Sequence, residues 1–145
     1  MNNEEMTENL FGKICYVIDI FPSTVREIDI ENFMKVEEYY LQEQELEKLA
    51  GKIATILIKM MCYHKFEVFC ERWYNSLEPW YLAELIRRTL KSNDGFLNLL
   101  CKEDNMLITV NGKTLHISVY NPPLRAIANL SMLSNAEGLF MRRAE

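Results

Sequence analysis

The chain has 145 residues, of which 49% are hydrophobic and 26% charged, a composition typical of a globular domain and not of a disordered or fibrous chain. Its 16 basic and 21 acidic residues give a net charge of −5, which disfavours binding to nucleic-acid phosphates or to an anionic membrane surface. The acidic side chains are concentrated in residues 1–50, which carry 12 acids and 4 bases.

The N-terminal part is predicted to form a polar segment followed by a strand. Met6, Leu10 and Phe11 have helical spacing, which fits a short helix or a docked terminus. Residues 13–21 are rich in β-branched and aromatic side chains, as is typical of a buried strand. The N-terminus lacks the basic and apolar regions of a signal peptide, and the longest apolar stretch, residues 53–63, is too short to span a bilayer. We therefore expect a cytoplasmic protein.

The clearest predicted element is a helix over about residues 43–61. Its apolar side chains recur at helical spacing, and the carboxylates in its first turns complement the positive end of the helix dipole. Gly51 lies in its interior, where glycine costs about 1 kcal/mol relative to alanine, and close packing of another element would explain it. Residues 25–42 fit either a partly exposed strand or the entry to this helix.

Three segments follow the central helix. Residues 66–74 fit a strand by β propensity and a helix by the spacing of their apolar side chains, and we favour the helix. Pro79 suits the first position of a second helix, which continues to a stop signal at residues 92–95. Residues 96–101 are expected to add one further apolar helical turn.

The strongest local signal is Asn111-Gly112, which separates two apolar runs. This dipeptide is preferred in type I′ turns, where both central residues have positive φ. It predicts a β-hairpin over about residues 106–120, with Leu115, Ile117 and Val119 on the core face.

A helix to about residue 135 and a short last strand over residues 139–142 complete the prediction. The sequence therefore indicates a single α+β domain over residues 1–145. We expect a small mixed fold with a central amphipathic helix, a C-terminal β-hairpin, a following helix and the short last strand.

No pattern of catalytic residues stands out. The chain has four cysteines, Cys15, Cys62, Cys70 and Cys101. All four have apolar neighbours in sequence, so we expect reduced structural thiols.

Cofactor motifs are equally sparse. Cys62, His64 and Cys70 have the donor types of a zinc site, but Cys101 and His116 are scattered along the chain and no CxxC pair occurs. The five glycines are dispersed, so the sequence contains no phosphate-binding loop. We expect no cofactor, no metal site and no catalytic residue.

Two sets of residues are candidates for a partner-binding surface. An acidic band could attract a basic partner, and an aromatic cluster around Pro79 contains the residue types favoured at binding hot spots. The candidates are Glu37, Glu38, Glu43 and Glu45 of the band and Trp73, Trp80 and Tyr81 of the cluster. Simpler interpretations are a solvated helix start for the band and ordinary core packing for the cluster.

The absence of catalytic motifs and the acidic asymmetry favour a non-enzymatic protein–protein interaction module. Within that class, we expect an acidic inhibitor of the immunity or antitoxin type that acts on a basic protein. One alternative is a small enzyme or ligand-binding domain with a pocket near Tyr120–Pro123. Another is a subunit of a homo-oligomer with no chemistry of its own.

Overall fold

The computed structural model describes residues 1–112 and 114–144. In these residues the chain forms five α-helices and seven strands, and all seven strands belong to one antiparallel sheet, which confirms the predicted α+β class. The helices are α1 (Asn3–Leu10), α2 (Ile30–Tyr40), α3 (Glu43–Met60), α4 (Pro79–Lys91) and α5 (Leu124–Ala136). The strands are β1 (Cys15–Asp19), β2 (Glu67–Cys70), β3 (Arg72–Tyr74), β4 (Phe96–Cys101), β5 (Met106–Asn111), β6 (Ile117–Tyr120) and β7 (Phe140–Arg143).

The strand order is β3-β2-β4-β5-β6-β1-β7, so the first strand of the chain lies between two of the last. The centre of the sheet is the β4–β5 pair. All six residues of each strand are paired, from Phe96 opposite Asn111 to Cys101 opposite Met106. Within the described residues, no helix is long and apolar enough to cross a membrane.

The main core lies between one face of the sheet and the helices. Alternate residues of β4 and β5, such as Leu99 and Ile108, belong to the same buried cluster as Ile56 and Leu57 of α3. The cluster also includes apolar residues of α4 and α5, so these three helices cover this face. The central amphipathic helix of the prediction is α3.

The opposite face of the sheet is covered in part by α1. Leu100 and Leu107 point to this side and are buried together with Leu10 of α1. The helix begins at an asparagine cap, where the backbone N–H of Glu5 donates a hydrogen bond to the side chain of Asn2 over 2.8 Å. Beyond α1 this face is open.

The helix favoured for residues 66–74 is wrong, because this segment forms the β2–β3 hairpin. The turn is made by Glu71, whose φ of 65° lies in the left-handed region that residues other than glycine rarely adopt. Glutamate is not a residue type that is favoured in turns, so the sequence of this segment does not predict that the chain reverses here. The apolar residues alternate across the hairpin, with Val68 in the main core and Phe69 against Trp73 on the other face.

The helical turn expected at residues 96–101 is also wrong, because this segment is the central strand β4. All of its residues except Phe96 are buried, because Leu97 and Leu99 face the helical core and Leu100 packs against Leu10 of α1 on the other face. A continuous apolar run of six residues has the same appearance in a buried strand and in a buried helix, so periodicity does not separate the two.

The predicted type I′ turn at Asn111-Gly112 is wrong in its geometry, although β5 and β6 do pair antiparallel. Val110 lies opposite Ile117, and the connection between the two strands comprises residues 112–116, of which residue 113 lies outside the described part. Neither Asn111 nor Gly112 has a positive φ. Gly112 is required because a Cβ there would lie 1.8 Å from the carbonyl oxygen of Ser92.

Two smaller expectations also need correction. Gly51 is exposed and a Cβ added to it would meet nothing within 4 Å, so no element packs closely against it. The four cysteines are free thiols, and Cys101 is buried as expected, but Cys62 is exposed. Residues 25–42, which fitted two structures, are mostly helical and contain α2.

Candidate functional site

Helix α2 is the element that the fold buries least. None of its residues is buried, and its docking to the rest of the protein rests on Phe33, whose ring lies 5.6 Å from that of Phe21, and on Tyr40. Large apolar side chains on and before the helix face solvent, with exposed fractions of 83% for Ile28, 60% for Met34 and 50% for Tyr39. This much exposed apolar area on one short helix is typical of an interaction surface.

The acidic side chains of α2 lack internal partners. Within the described part of the chain, Glu31, Glu37 and Glu38 form no salt bridge. Glu37 and Glu38 lie in the last turn, which holds no basic residue, and carboxylates at this end oppose the helix dipole. These two acids therefore destabilise the helix that carries them.

The acids at the start of α3 are different. Glu43 and Glu45 lie in the first turn, where the dipole favours them, and the Lys48 ammonium is 3.1 Å from Glu45. Glu47 contacts Lys91 of α4, and the hydrogen bond from Lys91 lowers the pKa of Glu47. The predicted acidic band thus divides into a part that stabilises the fold and a part, at the end of α2, that does not.

We define the α2 surface as the exposed side of this region together with the adjoining start of α3. Residues 27–45 contain seven acids and a single base, so the surface is strongly negative. Its exposed members are Ile28, Glu31, Met34, Glu38, Tyr39 and Glu43, and the half-buried Glu37 and Glu45 lie at its border.

The structure brings Trp80 and Tyr81 of the predicted aromatic cluster together, with ring centroids 5.5 Å apart, but it places Trp73 elsewhere. Trp80 is 71% exposed on α4 and borders a groove of about 220 Å³ between α3 and α4. Tyr81 is half-buried, and its ring makes an edge contact with Tyr74 at 5.8 Å. Trp73 lies on the far side of the sheet, packed against the small cluster under α1. Of the three, Trp80 is the one that offers a free aromatic face.

A second grouping joins residues that are far apart in sequence. His64 Nδ1 donates a 2.5 Å hydrogen bond to Asp104 Oδ2, and the buried Cys101 thiol donates to the same oxygen at 3.4 Å. The bond from His64 lowers the pKa of Asp104, whereas burial raises the pKa of Cys101. The Cys101 thiol is thereby kept protonated, and its polar neighbour is a carboxylate and not a base, so it is a poor nucleophile.

The donor atoms of His64, Cys101 and Asp104 lie within 4.8 Å of one another, which raises the question of a metal. Ligand atoms at the usual distances from one tetrahedral zinc lie about 3.3 Å apart. The 2.5 Å separation of the His64 and Asp104 atoms fits a charge-assisted hydrogen bond better than two ligands of one ion. Cys62 and Cys70, which the sequence suggested as donors, are not part of the group. The group ties the β4–β5 turn to the end of α3.

No protein-family model, no curated protein and no solved structure matches the chain. The choice of site therefore depends on the geometry alone.

The acids of the α2 surface stand out in the sequence, but its apolar members do not. Ile28, Met34 and Tyr39 were missed because residues 25–42 fit both a strand and the entry to a helix. Their exposure is a property of the fold, because the sequence of α2 is about as amphipathic as that of the buried helix α3.

Proposed function

We propose that this protein is a protein–protein interaction module that binds a basic partner through the α2 surface. The observation that carries the proposal is that α2 exposes apolar side chains and unpaired carboxylates together, although neither stabilises the fold. Exposed Met34 and Tyr39 would supply the contact area, and Glu37 and Glu38 would supply the charge attraction.

The partner's chemistry is inferred from that of the surface. Apolar residues at the centre of a contact give most of its binding energy. Charges at its rim speed up association and favour a partner whose surface carries the opposite charge. A complementary surface would therefore have an apolar patch surrounded by Lys and Arg side chains. Trp80 would extend the contact only for a partner large enough to reach α4.

Within this class we propose an inhibitor of the immunity or antitoxin type. An enzyme that acts on nucleic acid needs a cationic surface for its substrate's phosphates. A protein with an acidic, partly apolar helix could cover that surface and block the substrate. The net charge of −5 and the asymmetry toward the first 50 residues support this form of the proposal.

The test is affinity capture from the native host with the immobilised chain, followed by mass spectrometry. We expect a basic protein that is retained by the wild type and lost with Glu37→Lys/Glu38→Lys. This variant should fold at least as well as the wild type, because cations at the end of α2 complement its dipole. Tyr39→Ala should weaken binding of the purified partner by about 2 kcal/mol if Tyr39 is a hot spot.

The matched control is Glu5→Lys/Glu103→Lys, which changes the net charge equally at two exposed sites outside the α2 surface. A partner that is lost with both double variants responds to net charge and not to this surface. Retention of the partner by Glu37→Lys/Glu38→Lys would contradict the proposal. Light scattering that finds a stable homo-oligomer built through α2 would favour the alternative of a self-assembling subunit.

A further inference from the structure

A groove lies on the open face of the sheet, on the side opposite the helical core. It has a volume of about 460 Å³ and is bounded by α1 and by strands on both sides of the central β4–β5 pair. This volume is within the range of small-molecule pockets. The groove shares no residue with the α2 surface, so a role for the groove is independent of the proposed function.

The floor of the groove carries two polar side chains in the middle of the sheet. Asn98 of β4 and Thr109 of β5 lie directly opposite each other, and their exposed fractions are only 6% and 5%. Within the described part of the chain, neither side chain forms a hydrogen bond with the protein, and neither is among the polar side chains that are shut off from solvent without a partner. Their polar atoms are therefore accessible from the groove, in a strand position where asparagine is disfavoured. The two side chains therefore present an unused donor and acceptor set to whatever fills the groove.

Aromatic rings stand on both sides of this polar floor. On one side Phe69 stacks on Phe96 at 5.8 Å and meets Trp73 at 5.2 Å. On the other side Tyr120 makes an edge contact with Phe11 of α1 at 5.2 Å. Aromatic walls around a polar base favour a flat ring with hydrogen-bonding groups along one edge.

The charge of the groove limits the ligand further. The charged side chains among its described lining residues are Glu4 and Glu8, which are one turn apart on α1, and no basic residue lines it. Neither glutamate forms a salt bridge within the described residues. A phosphate or carboxylate ligand would be repelled, whereas a neutral or cationic one would not.

We propose that this groove is a binding site for a small neutral or cationic heteroaromatic molecule. Its ring lies between the aromatic walls, and adjacent donor and acceptor atoms on its edge, as in a purine, bond to Asn98 and Thr109. A side-chain amide pairs with such an edge through two hydrogen bonds.

The test uses adenosine, adenosine monophosphate and tryptamine as neutral, anionic and cationic probes. The chain has two tryptophans, so a Trp80→Phe background leaves Trp73 as the reporter in the groove wall. We expect adenosine to change Trp73 fluorescence saturably at millimolar concentration or below, and tryptamine, whose indole itself fluoresces, to give a saturable heat of binding in calorimetry over the same range. Adenosine monophosphate should bind at least about tenfold more weakly than adenosine, and Glu4→Gln/Glu8→Gln should narrow that difference.

Two further variants test the floor. Asn98→Leu and Thr109→Val keep the approximate side-chain size, and each should weaken adenosine binding by about tenfold through the loss of hydrogen bonds. Both should melt near the temperature of the parent, because neither substitution removes a hydrogen bond within the protein. Ser134→Ala is the control: it removes a buried, unpartnered hydroxyl outside the groove, in α5, and should leave binding unchanged.

The proposal is overturned if neither adenosine nor tryptamine gives a saturable signal, or if folded Asn98→Leu binds as tightly as its parent. A Trp73 signal that depends on protein concentration without any probe would show that a second copy fills the groove, which also overturns it. Adding Glu37→Lys/Glu38→Lys should not alter probe binding, so the failure of one proposal is distinguishable from the failure of the other.

Discussion

At Gly112 the fold leaves room for a hydrogen atom and nothing larger. A Cβ at this position would lie 1.8 Å from the Ser92 carbonyl oxygen and 2.8 Å from that of Thr89. Both obstacles are backbone atoms at the end of α4, so neither can rotate away as a side chain would. The backbone N–H of Gly112 also donates a 2.8 Å hydrogen bond to the carbonyl of Gly95, which holds the adjoining ends of β4 and β5 together.

Gly112→Ala is therefore expected to lower the free energy of unfolding by about 1–3 kcal/mol, the usual range for overpacking. The matched substitution is Gly51→Ala, at an exposed helical position with open space, which should raise it by up to about 1 kcal/mol. Urea unfolding of both variants measures the two effects. If Gly112→Ala is as stable as the wild type, the end of α4 does not lie against Gly112.

Asp104 should make stability depend on pH. Its pKa is lowered in the folded protein by the hydrogen bond from His64. A carboxylate with a lowered pKa stabilises the fold above its unfolded pKa of about 3.9, and this contribution is lost as the pH falls through the folded value. The stability of the wild type should exceed that of Asp104→Asn at neutral pH, and the difference should shrink in acid.

Chemical unfolding of both proteins at a series of pH values checks this expectation. Asp104→Glu serves as the comparison that keeps the charge but moves it by one methylene. A difference between wild type and Asp104→Asn that stays constant down to the acid limit would show that the charge of Asp104 contributes nothing.

Among the elements, α2 and α3 show how different two neighbouring helices can be. Eight residues of α3 are buried, whereas α2 buries none. Segments with few buried apolar contacts open locally at low free energy. The helix that carries the proposed interaction surface is thus held loosely, which leaves its apolar side chains free to adapt to a partner.

Hydrogen exchange should reveal this contrast. Amides of α2 are expected to exchange much faster than those of α3 or of the central strands β4 and β5. Binding of the partner should slow exchange in α2 while α1, on the other side of the sheet, stays unchanged. Protection of α2 equal to that of α3 in the free protein would contradict the picture of a loosely held helix.

The same elements explain which parts of the fold were predictable. The helix α3 was found because one face is apolar and the other polar, so its period is visible in the sequence. Strand β4 was missed because its central position buries both faces and removes the alternation. The β2–β3 hairpin was missed because Glu71 makes the turn in a conformation that glutamate does not signal.

The candidate sites divide in the same way. The acids of the α2 surface are close together in sequence and could be predicted as a group. That Glu31, Glu37 and Glu38 form no salt bridge within the described residues is a property of the fold. Asn98 and Thr109 come together only through strand pairing, and Asn98 lies in a run that was interpreted as a helical turn. The one local signal was a polar residue within an otherwise apolar stretch.

At the scale of the whole molecule, charge is distributed very unevenly. The first 50 residues carry a net charge of −8, while the whole chain carries −5. Such an asymmetry orients the protein toward a cationic partner before contact and speeds up association at low salt.

We therefore expect the association rate of the captured partner to fall steeply with ionic strength. With Glu37→Lys/Glu38→Lys the rate should be lower at low salt and its salt dependence flatter, while the dissociation rate changes less. Surface plasmon resonance over a range of salt concentrations measures both rates. Parallel salt dependences of variant and wild type would show that these two acids take no part in steering.

The position of β1 between β6 and β7 has a consequence for how the protein is made. Tyr16 is paired with Val119 and Arg143, so the earliest strand finds its neighbours more than 100 residues later. At ribosomal speeds of roughly 5–20 residues per second, β1 waits for about 5–20 seconds until its first partner, β6, has been made. During that time its unpaired backbone and apolar side chains are open to chaperones or to another chain. The sheet can be completed only after β7 has been made, more than 120 residues after β1.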